Sequence, residues 1–240
     1  MQLPRRVVLA EWSEWGRTLL GAPGHTHRVF CAVEVRKAHV AIEGVPALSP
    51  VSFSVPEGQC LVITGSNGSG KTTLLRVLAG LQRPTGGAAT VQGRRCDERD
   101  HIFRRELAAQ IGPPPVARDL TLDEHLRLVA QTWRSRGTNS PERATGIVQE
   151  LGLGHLMSRF PHQLSSGQAQ LFALALTLVR PSSVLVLDEP EHRLDVDRIG
   201  MVIETLRSRT CAGTTVVLAT HDSRFSSELG DQTLHLTSVA

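Results

Sequence analysis

The residues Gly65-Ser66-Asn67-Gly68-Ser69-Gly70-Lys71-Thr72 fit the pattern GxxxxGK[ST], the spacing of a loop that folds around nucleotide phosphates. Glycine at 65, 68 and 70 lets the backbone take positive φ and approach an anion closely. The N–H groups of such a loop, backed by the start of a helix, attract phosphate oxygens. Within the span from Gly65 to Thr73, Lys71 is spaced to reach the β- and γ-phosphates and the Thr72 hydroxyl to ligate Mg²⁺. Far downstream, the apolar run Val184-Leu185-Val186-Leu187 ends in Asp188-Glu189. Asp188 can hold Mg²⁺ across from Thr72, and Glu189 can polarise or deprotonate a water attacking the γ-phosphate. An acidic pair after an apolar run is common at loops and helix starts, so its weight comes from its companions.

The flanking elements suit this chemistry. Gln59 to Thr64 is nearly continuous apolar, as a strand buried on both faces would be, and runs straight into the glycine loop. Thr72 to Gly80 reads as a helix with Leu74, Leu75, Leu78 and Ala79 on one face and Gly80 as its stop. Upstream, Val33 to Arg36 and Val51 to Val55 alternate apolar and polar residues, the mark of half-buried antiparallel strands. Between the two chemistry-bearing segments, residues from about 97 to 164 carry helical repeats: Leu122, Leu126 and Val129, then Ala144, Ile147, Val148 and Leu151 up to Gly152. Strands at 184–187 and 215–218 enclose an amphipathic helix marked by Ile199, Val202, Ile203 and Leu206. Strand-helix-strand order predicts a parallel sheet, so the fold class is α/β with an antiparallel N-terminal portion and an inserted helical subdomain. Residues 1–28 read as an extension, with Trp12, Trp15 and Leu19 on one helical face, either packed on the domain or docking elsewhere; the main domain spans 29–240.

Bulk composition is that of an ordinary globular protein, 40% hydrophobic and 20% charged. A net charge of +3 is too small to argue for nucleic acid. Only Lys37 and Lys71 are lysines. Cys31, Cys60, Cys96 and Cys211 show no CxxC spacing and read as reduced core thiols. His25-Thr26-His27 lacks further ligands and reads as a loop, and the arginines at 94, 95, 99, 104 and 105 read as a solvated face. The longest apolar run, Leu171 to Val179, is about half of the roughly 18–20 residues that cross a bilayer and suits a buried helix. The segment after Arg5-Arg6 is too short for a secretory leader, and a cytosolic location is expected.

Leu164-Ser165-Ser166-Gly167-Gln168 resembles the LSGGQ signature of the ATP-binding cassette (ABC) family, with Ser166 in place of its first glycine. It precedes the long apolar helix, so its free N–H groups and the Ser165 hydroxyl can face a phosphate. Leu194-Asp195 resembles the family's D-loop, and His221 the switch histidine that contacts the γ-phosphate. These motifs occur in family order over about residues 31–223. The resemblance implies the ABC ATPase fold, ATP and Mg²⁺ as ligands, hydrolysis aided by Glu189, His221 and Lys71, and ATP clamped against Ser165, Ser166, Gly167, Gln168 and Asp195 of a second subunit. It further implies a homodimer or a heterodimer with a related subunit. A separate transmembrane permease would hold the protein at the inner face of the membrane, and no nucleic acid is expected.

Three positions depart from the family pattern. Val40-Ala41-Ile42-Glu43 lacks the aromatic that stacks on adenine, leaving aliphatic surface for the base. Ile111-Gly112-Pro113-Pro114-Pro115-Val116 stands where a Mg²⁺-sensing glutamine is expected, and Gln110 lies several residues too early. Leu171 replaces an arginine common after the signature. The proline-rich loop leans toward subunits paired with exporter permeases. A soluble ABC protein acting without transport and a slow regulatory subunit are the alternative readings.

Overall fold

The computed structural model describes residues 31–133 and 140–238; the extension bearing Trp12, Trp15, Leu19, His25 and His27 lies outside them. The fold is α/β, with two sheets. An antiparallel sheet in the order β2-β1-β4-β5 joins β1 (Cys31–Ile42), β2 (Val45–Pro56), β4 (Gly86–Val91) and β5 (Arg94–Arg95). A parallel sheet in the order β6-β7-β8-β3-β9 joins β3 (Cys60–Gly65), β6 (Leu107–Gln110), β7 (Val184–Asp188), β8 (Thr215–Ala219) and β9 (Gln232–Leu236).

The period-2 geometry of a strand explains how this second sheet carries two cores. Leu61, Ile63, Val184, Val186 and Val217 point to one face, against α1 (Lys71–Leu78) and the antiparallel sheet. Val62, Leu185, Leu187, Val216 and Leu218 point to the other, against α3 (Leu122–Thr132), α4 (Ser140–Glu150), α5 (Ser166–Leu178) and α6 (Val196–Cys211). Both faces are covered, which is why these strands read as unbroken apolar runs. The apolar run at 171–178 is buried on nearly every side within α5, so it needed no polar face.

The block read as helical from 97 to 164 is not helical throughout. It opens with the short helix α2 (Phe103–Glu106), and β6 then pairs with β7 as a strand of the parallel sheet; α3 and α4 come only after it. A four-residue strand inside a helical block leaves little periodic signal. The cysteines also depart from expectation, because Cys31 and Cys211 are exposed and Cys60 alone is fully buried. Burial pushes the Cys96 thiol up to about 12, which keeps it protonated and unreactive.

Local caps fix the helices that frame the site. Thr121 caps α3: its Oγ1 accepts from the Glu124 N–H at 3.3 Å, and Glu124 Oε2 accepts from the Thr121 N–H at 2.7 Å. Thr121→Ala should cost about 1 kcal/mol. That corresponds to about 2–4 °C in Tm for a domain of this size, read by circular dichroism, with nucleotide affinity unchanged. After α4, Gly152 takes φ +62 and its N–H bonds Gln149 O, closing the helix where its sequence placed a stop.

Candidate functional site

The parallel strands end together at one edge of their sheet. β3 stops at Gly65, β6 at Gln110, β7 at Asp188 and β8 at Ala219, and Asp188 pairs in register with Ala219. Ligands of open parallel sheets bind at this C-terminal edge. Here it carries nearly all the chemistry-bearing residues.

The loop from Gly65 to α1 is tight. Gly65, Gly68 and Gly70 take φ of +148, +79 and +94. A Cβ on Gly65 would meet Leu236 O at 2.4 Å, and one on Gly70 would meet Ala47 O at 2.8 Å, so neither position tolerates a side chain. Lys71 folds back over the loop, its Nζ donating to Gly65 O at 2.9 Å and Ser66 O at 3.1 Å, with only 7% of the residue exposed. The Ser69 hydroxyl is buried without a hydrogen-bond partner among the described residues. A buried ammonium held only by carbonyls and an orphaned hydroxyl fit an anionic ligand that supplies their missing partners.

Thr72 and Asp188 are 116 positions apart in sequence, yet the Thr72 hydroxyl donates to Asp188 Oδ2 at 2.8 Å. Burial pushes the Asp188 carboxyl up from its ordinary range, against the pull of the Thr72 hydrogen bond and of nearby Lys71. Two adjacent hard oxygen donors, one a carboxylate whose charge is poorly solvated, match what Mg²⁺ selects. When bound, that ion would supply charge neutralisation between phosphate oxygens.

Glu189 takes φ +47, unusual for a residue with a side chain, and its N–H donates to Ala219 O at 2.9 Å. Its carboxylate lies between two imidazoles, with Oε1 3.4 Å from His221 Nε2 and Oε2 3.7 Å from His192 Nδ1. The Gln170 amide donates to Glu189 O at 3.1 Å and Pro190 O at 3.2 Å, tying this turn to α5. Neither His192 nor Gln170 has a task that spacing along the chain assigns. A histidine three residues past the acidic pair and a second glutamine in the segment after the signature were the available signals.

Gln110 ends β6, ahead of the proline-rich loop. Its spacing set it too early for the missing loop glutamine, yet it is 5% exposed, with Oε1 unpartnered, and lines the same cleft as Thr72, Asp188 and Glu189. The cleft measures about 480 Å³ and separates the sheet edge from Leu164, Ser166 and Phe172. Alternation along β6 turns Ala108 and Gln110 to this side, which a linear count does not reveal.

The signature residues are not drawn onto the glycine loop of their own chain. Ser165 caps α5, its Oγ accepting from the Gln168 N–H at 3.3 Å while Gln168 Oε1 accepts from the Ser165 N–H at 2.9 Å. Ser165 and Ser166 are exposed, and Gly167 is buried against Arg193 O, where a Cβ would come within 2.9 Å. Asp195 caps α6 through the Arg198 N–H at 2.9 Å and is itself exposed. Among the described residues no hydrogen bond joins Ser165, Ser166, Gly167, Gln168 or Asp195 to Gly65–Thr73.

The profile of the ABC transporter family matches residues 48–192, well over half of the 240-residue chain. The chain belongs to the ABC transporter family. Its relatives in the family include the nickel import ATP-binding protein NikO of Rhodobacter capsulatus, 33% identical with 85% of each chain covered. The Fe(3+) ions import ATP-binding protein FbpC of Pseudomonas fluorescens is 34% identical over 84% of this chain and 57% of its own length. The macrolide export ATP-binding/permease protein MacB of Hyphomonas neptunium is 32% identical over 75% of this chain and 29% of its own. Against the first curated relatives the chain spans about half their length, 57%, 51% and 52%. A solved ATP-binding subunit of an ABC transporter superposes with a TM-score of 0.79 at 26% identity, covering 87% of this chain and 88% of that one. The fold of an ABC ATPase cassette thus accounts for both sheets and the helices that cover them. Among the described residues no helix is long and apolar enough to cross a membrane.

Proposed function

We propose that the chain binds and hydrolyses ATP as a subunit of an ABC transporter, with a separate permease carrying the transport path. The observation that bears most weight is the convergence at one sheet edge of Lys71, the Thr72–Asp188 pair and the Glu189–His221 pair. In this reading the loop from Gly65 to Thr73 cradles the phosphates, and Thr72 and Asp188 hold Mg²⁺. Glu189 orients and deprotonates the attacking water, while His221 steadies the terminal phosphate. Ala47 and Leu48 pack against Gly70, so the exposed Ile42 and Val45 on the same hairpin offer aliphatic surface to the base.

The exposed Ser165 and Ser166 then serve a second copy or a related subunit, closing its ATP site from the opposite side. Docking to the permease would place the protein at the inner face of the membrane. Relatives named for import and for export both occur, so the lean toward export from the proline-rich loop gains nothing from them. A soluble ABC protein would not be retained with a membrane protein, and a slow regulatory subunit would release phosphate only sluggishly; those two measurements separate the alternatives.

The two-chain site is tested by crosslinking. Asn67 and Ser166 are both exposed, whereas Ser69 and Gly167 are buried and unsuited to replacement. Asn67→Cys and Ser166→Cys, in a background with the exposed Cys31 and Cys211 changed to serine, should crosslink between two chains when Mg-ATP is saturating. Crosslinks confined to single chains under those conditions would defeat the shared site.

A further inference from the structure

Glu191 follows the Asp188-Glu189-Pro190 turn and has no part in the chemistry described so far. Its side chain reaches across the sheet edge to the segment after β8. Oε1 accepts two hydrogen bonds, from the Thr220 hydroxyl and, at 2.9 Å, from the backbone N–H of His221. Thr220 is 1% exposed, and its Oγ1 accepts in turn from the Asp222 N–H at 2.9 Å. One carboxylate oxygen therefore organises three consecutive residues, 220, 221 and 222. The imidazole so held stands 3.4 Å from Glu189 Oε1.

We propose that Glu191 is a positioning residue, fixing the backbone at 220–222 so that His221 faces Glu189 and the terminal phosphate of ATP. This rests on the ATPase reading above. The alternative is a bond that merely holds two strand ends together, but those ends are already paired. Val184 to Asp188 run in register with Thr215 to Ala219, and the Glu189 N–H bonds Ala219 O at 2.9 Å. Beyond the last of these pairings, the Thr220 N–H still donates to Ile63 O at 3.1 Å, and the Glu191 side chain holds the segment after it through the Thr220 hydroxyl and the His221 N–H. Removing it takes the acceptor from the buried Thr220 hydroxyl and from the His221 N–H, which frees residues 220–222 to rotate. A rotation that shifts the imidazole by about 1 Å is enough to cost up to about a hundredfold in rate.

Chemistry also separates the carboxylate's shape from its charge. Glu191 Oε2 is buried with no partner among the described residues, so the contacts there require one acceptor oxygen at the right reach and nothing more. Glu191→Gln keeps that oxygen. Glu191→Asp keeps the charge but draws it back by one methylene.

The test is steady-state phosphate release by the full chain with Mg-ATP. Glu191→Ala should lower kcat at least about tenfold while KM for ATP stays within about twofold, since the loop holding the phosphates is untouched. In a His221→Ala background the same change should add no more than about twofold, because both act through one imidazole. Glu191→Gln should keep kcat within about threefold of the original, and Glu191→Asp should fall with the alanine variant. Full activity in Glu191→Ala, or a penalty that multiplies undiminished onto His221→Ala, would overturn the proposal. If Glu191→Ala does not fold, the Gln and Asp variants decide: an active Gln with a slow Asp supports the proposal, and an active Asp with a slow Gln overturns it by assigning the effect to charge. Wild-type turnover by His221→Ala would instead sink the functional reading of the site, a separate failure.

Discussion

Glutamine in place of Glu189 should leave ATP bound yet slow steady-state phosphate release at least about tenfold. The substitution is nearly isosteric, so what holds the turn survives it: the N–H bond to Ala219 O and the two bonds from Gln170 involve the backbone of 189 and 190. The neutral amide cannot take a proton from water. With Lys71, Thr72 and Asp188 intact, binding persists while the chemical step stalls, and closed dimers accumulate. Phosphate release, fluorescent-nucleotide titration and size-exclusion chromatography with Mg-ATP read the three parts separately. Unchanged turnover would remove Glu189 from its role as base.

The second large effect is expected on affinity. Lys71→Ala should weaken ATP binding about ten- to hundredfold, from the loss of charge-assisted hydrogen bonds worth about 1.5–3 kcal/mol. Lys71 is 7% exposed and, among the described residues, its Nζ hydrogen-bonds only the carbonyls of Gly65 and Ser66 and forms no salt bridge with a carboxylate. A ligand carrying several negative oxygens is the natural partner for that charge. The variant also loses the strap that Lys71 forms across the loop, and a melting curve without nucleotide separates this contribution. An unaltered ATP titration would contradict the assignment of Gly65 to Thr73 as the phosphate loop.

Much of the site was legible because local geometry sets it. The three glycines and Lys71 lie within seven residues, and their conformations follow from positive φ and the start of α1. The strands at 60–65, 184–188 and 215–219 were readable because a sheet covered on both faces demands unbroken apolar sequence. β6 was missed because four residues cannot display a period, and with it the strand face that turns Gln110 into the cleft. Glu191 carried no signal of its own, and His192 and Gln170 only their nearness to the acidic pair and the signature. Each matters through a partner 3 to 30 positions away that only the fold supplies.

What the chain's residues determined alone was a set of chemical capacities: a glycine loop shaped for phosphate, an acidic pair at a strand end and a signature ahead of a long apolar helix. Which capacities meet was decided by tertiary structure, because the parallel order β6-β7-β8-β3-β9 brings distant strand ends to one edge. Thr72 and Asp188 come within 2.8 Å there, while Ser165 and Ser166 remain exposed. The physical reason is that strand pairing and burial act over distances in space, and spacing along the chain records neither.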